Sequence, residues 1–292
     1  MHIKRLLLFA VLFFVVQGVS FAQNETVTPE PGANPEGGDK KFQGFNLQGY
    51  NQQGQKSWDV KGDTANIVGT QVQLNKVDAN AYGEQNMNVT AETGVLDQAS
   101  GNMRLEKDVV ITSDRGSQLM TNSLDWDKNK DEVTTQDNVT ITDEQMTATG
   151  TGLKAKPGLK TAQINKDVTV MVAAKTDSPD GKSTVTVTSD GPMIINQATS
   201  MAEFNVNVVA IQEDRTLKAD RMEIYFDQKM KQIKEILCIG NVMIEQGGNK
   251  TYADKATYSA QDQKLTLSGR PKLILETEGQ NAITSFGNKK SR

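Results

Sequence analysis

Few side-chain types carry chemistry in proteins, and this sequence is short of most of them. Its 292 residues include one histidine, His2, and one cysteine, Cys238. A chain whose only imidazole sits at its second residue has no Ser-His triad, no haem ligation, little zinc chemistry and no imidazole acid–base work. A single cysteine excludes an intramolecular disulfide framework and CxxC redox chemistry. Carboxylates remain, with 36 Asp+Glu against 32 Lys+Arg and a formal charge of −4. An acidic chain without basic runs is a poor nucleic-acid binder. Acids and one amide recur in similar settings, in a series of Glu92, Asn122, Asp190, Asp220 and Asp254. Catalysis by acids alone would need them convergent on one face with basic or aromatic sugar platforms, and aromatics make up only 5% of the chain. Each follows a small residue, as in Ala219-Asp220 and Ala253-Asp254, and precedes an apolar segment. That placement is expected of turns, where the side chain bonds the backbone two residues on. No catalytic residue, metal ligand or cofactor is expected, and the chain reads as non-enzymatic.

The elements that would position any site are strands. From Trp58 onward apolar and polar residues alternate in short segments. Leu105, Val109 and Ile111 share one parity, as do Val139 and Ile141, then Val168 and Val170. Phe204, Val206 and Val208 follow, then Ile236, Cys238, Val242 and Ile244, and finally Leu265, Leu267, Leu273 and Leu275. Period two places alternate side chains on opposite faces and marks β-strands. No 3.6-residue periodicity is sustained, so the chain is expected to be all-β.

The segments also repeat. Val109, Val139, Val168, Val208, Val242 and Pro271 occupy equivalent places, evenly spaced except for a long interval between Val168 and Val208 and a less extended one between Val208 and Val242. The period, about 30 residues, is the mark of stacked units, each a strand pair that cannot bury its own apolar face alone. The longer interval contains residues 175–182, a polar Ser-Pro-Asp-Gly insertion expected to be a seam. Cys238 is expected to be a buried thiol, and Trp58 and Trp126 core or rim residues. At the N-terminus, Lys4 and Arg5 precede the apolar run 6–16 and a Ser20-Phe21-Ala22 cleavage pattern. Residues 1–22 therefore read as an export signal or, if uncleaved, a membrane anchor. Residues 23–56, rich in Asn, Gln, Gly and Pro, read as a flexible tether, in which Phe42, Phe45, Leu47 and Tyr50 fit a docked linker or, as the alternative, a loosely packed first edge strand.

The second half of the chain resembles the OstA/LptA-like domain of periplasmic lipopolysaccharide transport. The resemblance rests on Phe204-Asn-Val-Asn-Val208, Leu217-Lys-Ala-Asp-Arg-Met222, Gly240-Asn-Val-Met-Ile244, Tyr252-Ala-Asp-Lys-Ala256 and Leu265-Thr-Leu-Ser-Gly-Arg-Pro271. The first half is similar to LptC, through Ser57-Trp58-Asp-Val-Lys-Gly62, Val72-Gln-Leu74, Val77-Asp-Ala79 and the run from Gly94 to Ile111. The implied organisation is an LptC-like half over 57–174, the seam at 175–182, an OstA/LptA-like half over 183–286 and a basic tail at 287–292.

The resemblance implies an open, V-shaped β-jellyroll of two antiparallel sheets whose apolar interior holds lipopolysaccharide acyl chains. The expected groove lining is Leu105, Val109, Ile111, Val139, Ile141, Val168, Val170, Phe204, Val206, Val208, Ile236, Val242, Ile244, Leu265, Leu267 and Leu273. It also implies joining edge to edge with other Lpt jellyroll proteins, with the inner-membrane ABC transporter, or head to tail with further copies. The expected contacts there are Trp58, Val60, Leu273 and Leu275. The implied location is the periplasm, with tethering to the inner membrane if the N-terminal segment is retained. The alternative is an exported structural or adhesive β-solenoid whose core its own side chains fill.

Overall fold

A computed structural model describes residues 40–276 apart from 52, 84–85, 145, 157–158, 175–182 and 228–231. The export signal, most of the tether, the seam and the basic tail lie outside the described residues.

Among the described residues the chain is built of strands. In chain order these are β1 (Lys40–Tyr50), β2 (Lys56–Val68), β3 (Gln71–Ala81), β4 (Met87–Asp97), β5 (Met103–Ser113) and β6 (Gln118–Asp127). Then come β7 (Glu132–Thr142), β8 (Met146–Lys156), β9 (Thr161–Ala174), β10 (Ser183–Ser189), β11 (Met193–Asn196) and β12 (Met201–Gln212). The series ends with β13 (Arg215–Phe226), β14 (Ile233–Gln246), β15 (Asn249–Ser259), β16 (Lys264–Ser268) and β17 (Lys272–Ile274). Each strand pairs antiparallel with the next in an up-and-down meander. β10 and β11 together fill one place between β9 and β12. β16 and β17 likewise share the place beyond β15. The sequence repeat is therefore two successive strands, out and back.

Most strands are interrupted near the middle. The ladder shifts at Glu106/Val109 in β5, Asn205/Val208 in β12 and Ile239/Val242 in β14. Left-handed backbone marks the same level: Lys107 and Asp108, Asp167, Val206 and Asn207, Gly240 and Asn241, Gly269 and Arg270. Such bulges bend a strand, and here they align across the sheet. Prolines fall at this level too. Pro192 separates β10 from β11 and Pro271 separates β16 from β17, places where the ladder is already broken and a missing N–H costs nothing.

The bends fold one sheet into two facing layers. The first, layer A, holds the halves that include Leu105, Leu153 and Phe204; the second, layer B, holds those that include Ile111, Ile141 and Val170. These residues of both layers are buried to 5% exposure or less and belong to one apolar cluster. A single layer would leave its inner face open to water, so such burial on both requires that the layers cover each other. The result is the V-shaped all-β jellyroll, with the bends at its apex and the hairpin turns along its two rims.

Two sequence expectations are corrected. Residues 40–50, expected within a flexible tether, form β1 and pair along their length with β2. Backbone pairing, rather than apolar content, orders that segment. The recurring acids and amides do not sit in turns before strands. Glu92, Asn122, Asp220 and Asp254 lie inside β4, β6, β13 and β15 near the bends, and Asp190 lies at the break between β10 and β11. Several of these side chains bond across to the neighbouring strand. Asn241 Nδ2 donates to both Asp220 oxygens at 3.2 and 2.9 Å, Asn207 Nδ2 donates to Asp190 at 2.7 Å, and Lys76 Nζ reaches Glu92 at 2.6 Å.

Candidate lipid groove and sheet edges

The interior is organised into lanes that run across the strands, along the length of the molecule. In layer B the paired residues are Leu47, Val60, Ala79, Val89, Ile111, Leu119, Ile141, Ala148, Val170, Val187, Ala210, Leu217, Ile244, Thr251 and Leu273. Every ladder place contributes one residue, and all but Thr251 are apolar. Layer A has a second lane from Phe42 through Leu74, Leu105, Ile164, Phe204 and Cys238 to Leu267, interrupted by Gly94 and by Thr135. With strands about 4.8 Å apart, fifteen places give lanes of roughly 65–70 Å.

Burial varies along each lane. The middle is closed: Ile111, Leu119, Ile141, Ala148 and Val170 are all buried. The ends are open, with Leu47 45% and Leu273 60% exposed. Of the expected lining, Leu105, Val109, Ile111, Val139, Ile141, Val168, Val170, Phe204, Val208 and Val242 lie in the buried cluster. Ile236, Ile244 and Leu267 are half-buried near the C-terminal edge, where Leu265 and Leu273 are exposed. Val206 does not join them. It sits in the β12 bulge with φ 66° and is 51% exposed. The two left-handed residues Val206 and Asn207 interrupt the alternation, so a shared parity with Phe204 and Val208 no longer means a shared face.

The N-terminal edge also differs from expectation. Trp58 and Val60 lie in β2, opposite Gly49 and Leu47 of β1. They are one strand in from the edge, which is β1 itself. The Trp58 indole lies over the backbone of Gly49, where a Cβ would run into the ring. At the other end, Leu273 is in β17 and Leu275 follows it, both exposed.

Sequence reasoning missed a polar knot in β2. The Asp59 carboxylate is buried, and it accepts from Asn80 Nδ2 at 2.9 Å and Tyr82 Oη at 2.7 Å and pairs with Lys56. The Lys56 ammonium also stands 5.1 Å from the Tyr82 ring centroid. Burial pushes the Asp59 carboxyl up, but hydrogen bonds from Lys56, Asn80 and Tyr82 outweigh it and hold the pKa at about 2. The knot joins β2 to β3 and its following loop, which are distant in sequence, so no local spacing reveals it. Cys238 lies in the layer A lane, and burial pushes its thiol up to about 12. Among the described residues no group of His, Cys, Asp and Glu could hold a metal ion.

A single antiparallel sheet bent into two facing layers, with an apolar lane running across its strands, defines an all-β jellyroll protein. Residues 6–173 match the family described as lipopolysaccharide-assembly, LptC-related. Residues 186–289 match the family described as LptA/(LptD N-terminal domain) LPS transport protein. The first match spans more than half of the chain, and the chain belongs to the LptC-related lipopolysaccharide-assembly family. It is a component of the periplasmic bridge of lipopolysaccharide transport, a family of structural transport proteins rather than enzymes. Among solved structures, the chain is similar to LptH, the LptA homologous periplasmic component of the lipopolysaccharide transport device from Pseudomonas aeruginosa. That match has 15% identity and a TM-score of 0.17, and covers 65% of this chain and 95% of that one. No curated protein matches the chain.

Proposed function

We propose that the two apolar lanes carry the acyl chains of lipopolysaccharide from the inner-membrane ABC transporter toward the outer membrane. Other Lpt jellyroll proteins join the sheet at β1 and at β16–β17. The observation that carries this reading is the unbroken layer B lane from Leu47 to Leu273, apolar at fourteen of its fifteen places and open at both ends. A protein that needed only a core would cover its last inward residues. Here Leu265, Leu273 and Leu275 stay exposed at the edge where the lane stops.

Each buried CH₂ contributes about 0.8 kcal/mol, so an acyl chain of a dozen carbons supplies roughly 10 kcal/mol gross. That is enough for binding without a specific polar site. The layers face each other through apolar side chains. Parting them exposes surface that an acyl chain covers again, which offsets the cost of opening.

The closed middle of the lanes supports the second reading, a structural protein with a filled core. Photocrosslinking residues at Ile141 and at Leu273, in protein taken from its own envelope, separate the two. Carriage gives lipid adducts at both positions and none at Lys154 on the outer face of layer A. A filled core gives no adduct at Ile141.

A further inference from the structure

The two edges of the sheet carry charge of the same sign. β1 holds Lys40 and Lys41 and no acid. From β16 through β17 the chain holds Lys264, Arg270 and Lys272 and no acid, with Glu276 the first one beyond. The residues between the edges, 51–263, hold 22 Lys+Arg against 30 Asp+Glu. The body is therefore acidic and both edge strands are basic, with Asp39 immediately before β1. Among the described residues Lys40, Lys41, Lys264 and Lys272 form no ion pair, and Arg270 is 3.9 Å from the exposed Asp254.

The charges also coincide in height. β1 runs from layer A, through a bend at Gly44 (φ 64°), into layer B. β16 and β17 run the same way through Gly269 and Arg270. Lys40 lies opposite Ile67, one residue short of the end of β2, and Lys264 lies opposite Ser259, the last residue of β15. Both therefore stand at the rim of layer A. If one copy joined another with the layers matched, Lys40 and Lys41 would come beside Lys264. Adjacent strands are about 4.8 Å apart, well inside the screening length of about 10 Å at 0.1 M salt. Edge lysines are a common guard against unwanted strand pairing.

We infer that the two edges reject a second copy of this chain and select a partner whose edge strand carries Asp or Glu on its layer A half. This rests on the edge-joining part of the proposed function and narrows it: the bridge is built from unlike subunits because like ones repel at the seam.

The test is sedimentation of the full chain at 0.05 and 0.5 M salt, with the charge-reversed variant K40E/K41E as the acidic-edged probe. Wild type is expected to stay monomeric at low salt and to associate more as salt rises. K40E/K41E is expected to assemble head to tail at low salt, with affinity gained by about tenfold and lost on adding salt. Adding K264E/K272E to that variant makes both edges acidic and returns it to monomer, and circular dichroism confirms that each variant folds. Tight low-salt assembly of the wild type overturns the charge selection and leaves edge joining intact. Failure of K40E/K41E to associate at any salt overturns edge joining itself.

Discussion

Asp59 shows what one buried charge does at the start of the sheet. Its carboxyl is held at about 2 against an ordinary 3.8. A folded pKa below the unfolded one stabilises the fold at pH values above about 4, and this contribution is lost as pH falls through 2. Asp59→Asn is therefore expected to lower the urea midpoint at pH 7 and to change it little at pH 2. An equal loss at both pH values would show that shape rather than charge matters there. Cys238 gives the opposite case, a group that burial keeps neutral. With its pKa pushed up to about 12, it is expected to resist iodoacetamide at pH 8 in the folded protein and to react once urea exposes it.

At the scale of the strand, the bend is the feature on which the fold turns. Gly240 has φ 77°, and a Cβ there would run into the Asp220 carboxylate that Asn241 holds. Gly240→Ala is expected to cost about 1–3 kcal/mol, measured by chemical unfolding. Alanine at Gly116, which also has positive φ but open space around it, separates backbone strain from the clash. The bend also marks the limit of what alternation reveals. Within a half-strand, parity reads the inner face directly: Val139 and Ile141, or Val168 and Val170, face inward together. Across a bulge the count slips, so Val206 is misplaced and the acids at the bend resemble turn residues. In β8 the bend falls at Gly152, with φ 73°, and that strand holds no acid. β1 escapes for another reason. Its residues are mostly exposed and it is ordered by backbone pairing, which leaves little trace in hydropathy.

At the scale of the molecule, backbone pairing runs between successive places of one ladder. The strand pair is the unit of construction, and the out-and-back order returns the chain to the same rim each time. β5, β7 and β9 begin at Met103, Glu132 and Thr161, in two equal steps. Deleting 132–160 would put β9 where β7 stood, with Val170 taking the lane place of Ile141. The shortened chain is expected to fold cooperatively with the layer B lane continuous, as judged by unfolding curves and amide exchange. Deleting a single strand reverses the direction of everything after it and is expected to prevent folding.

The aligned bends thus make the molecule a ruler graduated in strand pairs, each pair adding about 10 Å. Its reach is then set by how many pairs are strung together, and it can grow or shrink by duplication or loss without redesign of any interior contact. A gap of a different width would call for a different count, and the chemistry at each graduation would stay the same.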